Sequence, residues 1–206
     1  MAIDVPSIKT LRERTAAGVM DCKKALEKNN GDIEKAVEYL RIKGLAQAAR
    51  KAGRITSEGL VEAYIHPGGK IGVLIEVNCE TDFVARTDDF KVLVRDLSMQ
   101  VAASSPLYIS KDDVPPSVIE KLIEEYKSQA RQEGKQEKVL DRIAQGRMEK
   151  YYSEVCLLEQ GFIRDPDIQV SQRIASTVSR LGENIRVKRF MRYQLGEEAS
   201  KDPATS

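Results

Sequence analysis

Residues capable of covalent or metal chemistry are few in this chain and poorly placed for it. The one histidine, His66, stands beside Pro67-Gly68-Gly69, and the three cysteines, Cys22, Cys79 and Cys156, are widely separated. A metal centre needs several such ligands at close spacing, and no second histidine or cysteine pair completes one. A lone histidine in a turn suggests no Ser/His/Asp set. Gly68-Gly69-Lys70 lacks both the earlier glycine and the following Ser/Thr of a phosphate loop, and the alternating apolar residues after it fit a strand rather than a helix. The many carboxylates lie among lysines at helical spacing, the usual pattern of a solvated face. No catalytic residue, metal ligand or cofactor is expected, which points away from an enzyme.

The unusual stretch is NCETDFVAR, residues 78 to 86. Phe83 sits between Asp82 and Val84, where an apolar strand has ended and the charged run from Arg86 to Asp89 begins. A loop held between a strand and a helix is a common place to present a binding residue. The competing reading folds Phe83 back as a lid on the local core. Patterning alone leaves both open.

Composition bounds the partner. With 206 residues, 33 Lys+Arg against 32 Asp+Glu and a formal net charge of +1, the chain has no global field to draw it to nucleic acid or an anionic membrane. Recognition must be local. A charged fraction of 32% with 5% aromatics fits a soluble, helix-rich protein, and no apolar run reaches the length of a membrane span. The start, MAIDVPSIKT, lacks the regions of a signal peptide. An odd number of dispersed cysteines fits reduced thiols, so a cytoplasmic location is expected.

Periodicity supplies the elements. Ile8 and Leu11, then Val19, Cys22, Ala25 and Leu26, then Ile33, Ala36, Val37 and Leu40 mark three amphipathic helices that should pack as a small bundle. Asn29-Asn30-Gly31 can end one helix and Asp32 can cap the next. Gly44 is expected to terminate the third, with 45–54 as a connecting helix or linker. Residues 59–66 and 70–77 flank the Pro-Gly-Gly turn as a hairpin, with Ile71, Val73, Ile75 and Val77 on one face. Thr87 or Asp88 should cap a covering helix through Phe90, Leu93, Val94, Leu97 and Val101. A helical hairpin is expected over about 117–158, interrupted at Gly134. Val170 to Leu181 gives one more helix, and 184–195 a final strand with Ile185, Val187, Met191, Tyr193 and Leu195 on one face. The tail, 197–206, is expected to be disordered. This is an α+β chain, divided into residues 1–54 and 55–196.

Three motifs carry a resemblance: LRERTAAGVMDCKKAL at 11–26, NGDIEKAVEYLRIKG at 30–44 and NCETDFVA at 78–85. With GRMEKY at 146–151 and VCLLEQGF at 155–162, they resemble the bacterial elongation factor Ts family over almost the whole chain. The resemblance implies a guanine-nucleotide exchange factor for the GTPase elongation factor Tu. It implies a ubiquitin-associated-like N-terminal bundle and an antiparallel-sheet dimerisation core with a protruding helical hairpin. It assigns Thr81, Asp82, Phe83 and Val84 to displacing Mg2+ from the partner GTPase, and Val19, Met20 and Lys23 to docking on it. Two features depart from the family pattern: Gly161 stands where proline is common, and there is one core copy where longer members have two. The single copy implies a homodimer.

A rival from another class is an RNA-binding module. It would use Arg186, Lys188 and Arg192 of the last strand, with Arg50, Lys51 and Arg54, as a phosphate-binding stripe. Only Phe190 offers a stacking residue among these charges, and direct nucleic-acid binding is not expected.

Overall fold

The computed structural model describes residues 3–15 and 17–197. The tail anticipated from residue 197 lies outside the described residues from 198 onward. The helices are α1 Val5–Thr15, α2 Val19–Lys28, α3 Ile33–Lys51, α4 Asp82–Ala85, α5 Asp88–Ser104, α6 Pro116–Gln132, α7 Leu140–Val155 and α8 Val170–Leu181. The strands are β1 Glu58–Ile65, β2 Ile71–Cys79, β3 Gly161–Phe162, β4 Asp165–Gln169 and β5 Ile185–Gln194. The fold is α+β. It forms two compact units, one of residues up to 99 together with those from 171, the other of residues 100–170.

In the first unit, Leu11, Cys22, Ala25, Leu26, Ala36 and Leu40 form the buried cluster of the α1–α3 bundle. Asn30 and Gly31 adopt positive φ after α2, and the Asp32 carboxylate accepts from Lys35 N at 3.1 Å to cap α3. Two expectations need correction. Val19 shares the apolar stripe of α2, but it occupies the first helical position, where the cluster has not yet begun, and is 49% exposed. Gly44 does not end α3, which runs on to Lys51. A Cβ at Gly44 would meet Ala175 O at 3.8 Å and Ser179 Cβ at 4.0 Å. Both are ordinary van der Waals distances, so an alanine would fit there, and the glycine stands inside α3 at a cost of about 1 kcal/mol in helix propensity. Ser179 donates to Gln47, and Lys51 donates to Gly182 O.

The sheet runs β1-β2-β5, antiparallel throughout. In the turn between β1 and β2, His66 N donates to Ile71 O and Gly69 N donates to His66 O, both at 2.9 Å. Val73, Ile75, Val77 and Cys79 are buried on one face. Arg95 of α5 donates to Glu62 at 3.1 Å and lies over the Tyr64 ring, which places α5 across that same face. Arg173 and Arg180 of α8 pair with Asp96 and Asp89 of α5.

Strand β5 departs from its expected pattern. Val77 pairs with Val187 but Glu76 pairs with Arg189, so Lys188 is an extra residue in a bulge. The bulge reverses the alternation. Ile185 and Val187 are buried, whereas Met191 and Tyr193 turn to the opposite face and are 54% and 68% exposed. Phe190 and Arg192 take the inward positions opposite Ile75 and Val73. Val61, Ile65 and Leu74 share the outer face with Met191 and Tyr193, and each is exposed.

In the second unit, α6 and α7 form the expected helical hairpin, with Gly134 at positive φ after α6. Ala130, Leu140, Ala144 and Met148 are buried, and Lys127 pairs with Asp141 at 2.8 Å. Buried Gln100 donates to Gln160 Oε1 and Gly161 O and accepts from Ile163 N, which fixes the start of β3.

Gly59 is the most constrained glycine. Its φ is +145°, and a Cβ there would lie 2.1 Å from Val77 O. Gly59→Ala is expected to destabilise the fold by about 2 to 3 kcal/mol, lowering the melting temperature by about 5 to 10 °C. Calorimetry of the purified variant checks this, and an unchanged melting temperature would contradict it.

Candidate functional site

The Thr81–Val84 segment, expected as a loop, is instead a capped helical turn, α4. Thr81 has extended backbone, with φ −130° and ψ 155°. Its Oγ1 accepts from Val84 N at 3.4 Å, satisfying one of the free amides at the helix start. Thr87 closes the turn, donating to Val84 O at 2.7 Å while its Oγ1 accepts from Phe90 N at 3.3 Å. One threonine thereby ends α4 and caps α5.

A second segment holds this turn in place. The Glu183 carboxylate accepts from Glu80 N at 3.1 Å, Thr81 N at 3.0 Å and Thr81 Oγ1 at 2.6 Å. The next residue answers in the other direction. Asn184 N donates to Glu80 Oε1 at 2.7 Å, and Asn184 Nδ2 donates to Ala52 O at 3.2 Å and Arg54 O at 3.0 Å. Arg54 pairs with Glu80 at 3.3 Å. The Asn184 amide, with the Arg54 charge, holds the Glu80 carboxyl below the usual carboxylate range despite some burial. The buried Cys79 thiol donates to Thr81 O at 3.2 Å. Burial, with the Glu183 charge nearby, pushes this thiol up to about 11, so it is unreactive near neutral pH.

The result is a rigid turn with one apolar group facing outward. Ala85 is buried, Thr81, Asp82 and Val84 are half-buried, and Asp82 pairs with Arg86 at 2.6 Å. Phe83 is 77% exposed. It does not form a lid on the core. The candidate docking residues lie apart from it, on the first turns of α2. Val19 and Met20 are both exposed, and Lys23 reaches Glu27 at 3.8 Å, over buried Cys22 and Ala25. Among the described residues, no hydrogen bond or ion pair joins the two sets.

The basic stripe of the RNA reading is broken up: Arg54, Arg186 and Lys188 line one pocket, but with Glu76 among them. Arg192 lies on the inward face and pairs with Glu197 at 3.0 Å, whereas Arg186 lies on the outer face opposite Asn78. Arg54 and Lys51 are engaged with Glu80 and the Gly182 carbonyl.

The family model described as elongation factor TS matches residues 7–197. The chain belongs to the elongation factor Ts family. Among proteins named elongation factor Ts, that of Moorella thermoacetica is 60% identical over 195 residues, covering 95% of this chain and 96% of the relative. That of Caldanaerobacter subterraneus is 57% identical over 199 residues, covering 97% and 100%. The Geobacter sulfurreducens protein is 52% identical over 201 residues, covering 98% and 93%. An elongation factor Ts is a guanine-nucleotide exchange factor of translation, and its work is to change a partner's affinity for nucleotide rather than to make or break a bond. A turn with one exposed aromatic and no reactive group suits that work.

Sequence reasoning missed Glu183 and Asn184. They stand about a hundred positions from Thr81, and pairing of Cys79 with Ile185 at the ends of β2 and β5 brings them together. The Thr81 to Val84 spacing was the available local signal for the cap.

Because the Phe83 side chain lies in solvent, Phe83→Ala should change folding stability by less than about 0.5 kcal/mol. A buried Phe would lose about 3 to 5 kcal/mol on the same truncation. Urea denaturation of the free variant distinguishes the two values.

Proposed function

We propose that this elongation factor Ts binds elongation factor Tu carrying GDP, disturbs the Mg2+ and phosphate environment with the Thr81–Val84 turn, and so promotes GDP release. The observation that carries the reading is Phe83, fully presented on a turn that is anchored on both sides. An exposed aromatic loses little entropy on insertion into a partner when its backbone is already fixed. Val19, Met20 and Lys23 supply docking, through residues 1–54 acting as a ubiquitin-associated-like domain. Residues 55–196 act as the dimerisation core.

The mechanism is linkage. A factor that binds the nucleotide-free GTPase more tightly than the loaded one lowers nucleotide affinity by the difference. Reciprocity requires that nucleotide expel the factor equally. No covalent step is involved, and the Mg2+ belongs to the partner. The protein works in the cytoplasm without contacting nucleic acid directly. The exposed outer face of the sheet, with Leu74 at its centre and Val61, Ile65, Met191 and Tyr193 around it, supports pairing with a second copy of the chain.

Stopped-flow release of a fluorescent GDP analogue from elongation factor Tu tests the wedge. Phe83→Ala should lower the maximal release rate at saturating factor by about 30-fold, the equivalent of about 2 kcal/mol for an interface anchor. GDP should also expel this variant less effectively. Release at the unmodified rate would refute the assignment. Met20→Ala and Lys23→Ala should instead raise the concentration needed for half-maximal rate while leaving the plateau nearly intact. A lowered plateau would show that α2 takes part in displacing nucleotide. Sedimentation equilibrium at micromolar concentration should give a dimer mass, shifted to monomer by Leu74→Asp. A monomeric parent protein would eliminate the dimer.

A further inference from the structure

The Phe83 turn does not orient itself. A four-residue helix closes too few hydrogen bonds to be stable alone, and a single helical turn is unfavourable in isolation. At its start the cap is the long 3.4 Å contact between Thr81 Oγ1 and Val84 N, and Thr87 closes only its far end. The Glu183 contacts are shorter, charge-assisted and three in number. They fix the two residues immediately before the helix and the hydroxyl that caps it. Through Thr81, the Glu183 carboxylate determines where the first turn points, and with it the direction of Phe83. Neither the TDFV motif nor the docking residues include this glutamate.

We propose that Glu183 is a positioning residue for nucleotide exchange, holding the α4 turn in the one orientation that presents Phe83 to the partner. The inference rests on the reading of Phe83 as the wedge. Glu183 touches neither nucleotide nor Mg2+ and acts only through the Thr81 cap. Asn184, Glu80 and Arg54 join the chain just outside the turn and do not reach Thr81–Val84, so loss of Glu183 frees the turn while leaving the strands around it paired.

The test is a titration of elongation factor Tu loaded with fluorescent GDP against Glu183→Ala, Glu183→Gln, Phe83→Ala and the Phe83→Ala/Glu183→Ala double variant. Glu183→Ala should lower the plateau release rate by about tenfold, the effect of losing charge-assisted hydrogen bonds. Its half-saturating concentration should stay within about twofold. A merely structural defect does the reverse, because a smaller folded fraction raises the concentration needed and leaves the plateau alone. Glu183→Gln, which keeps the size and one acceptor, should fall between the parent and Glu183→Ala, and it carries the test if Glu183→Ala does not fold. The double variant should be no slower than Phe83→Ala alone, since both changes remove one function. Amide exchange at Thr81 and Val84 should quicken in the glutamate variants while that of β2 stays protected. Additive losses in the double variant, or an unchanged plateau in both glutamate variants beside a slow Phe83→Ala, would overturn the role of Glu183 and leave the wedge standing. A normal plateau in Phe83→Ala would bring down the wedge and this inference with it.

Discussion

The pairing of β2 with β5 is the constraint on which the rest depends. Its register sets Cys79 opposite Ile185, and so brings residues 80–81 against residues 183–184. From that juxtaposition follow the three hydrogen bonds to Glu183 and the return bond from Asn184 to Glu80. The two side chains of Asn184 and Arg54 then tie the end of α3 to the same point. A slip of one residue would turn Val73, Ile75 and Val77 out of the core, so the hydrophobic pattern of β2 protects the site as firmly as any polar contact does.

The chemistry of the site is mechanical. Its polar groups are spent on one another: backbone amides on Glu183, the Asn184 amide on Glu80, the Cys79 thiol on a carbonyl. What the turn leaves exposed without a polar tie is a single ring at its tip. Such a group gains most where water can be excluded around it and little in a charged, open site. With a net charge of +1, long-range attraction contributes little to the encounter.

Much of this was legible in the sequence, and the omissions have physical causes. The α5 pattern, the Pro-Gly-Gly hairpin, the Asn30-Gly31 stop with its Asp32 cap and the helical hairpin all rest on local rules that hold in the structure. Gly44 misled because a glycine can stand inside a helix as well as end one, and α3 runs on through it to Lys51. The alternation in 184–195 misled because a bulge is silent in sequence, and Lys188 carries no mark of being unpaired. The exposure of Phe83 was undecidable from spacing, and its motif read as a loop, without the helical turn or the carboxylate that steadies it. Contacts between residues a hundred positions apart are set by topology, which periodicity does not report.

The bulge at Lys188 also shapes the border of the sheet. Its two border strands, β1 and β5, present unpaired backbone groups, and such edges invite growth by further strands. On β5 the ladder is interrupted by the extra residue, and the exposed charged side chains of Arg186, Lys188 and Arg189 follow one another along it, Arg189 paired with Glu76 at 2.7 Å. On β1, Gly59 at positive φ and the carboxylates of Glu58 and Glu62 break the flat, apolar profile that strand addition favours. Uncontrolled fibre-like extension is therefore discouraged along both borders, while the broad face carrying Leu74 has no such guard. The borders of this sheet are therefore less open to a further strand than its broad apolar face is to packing.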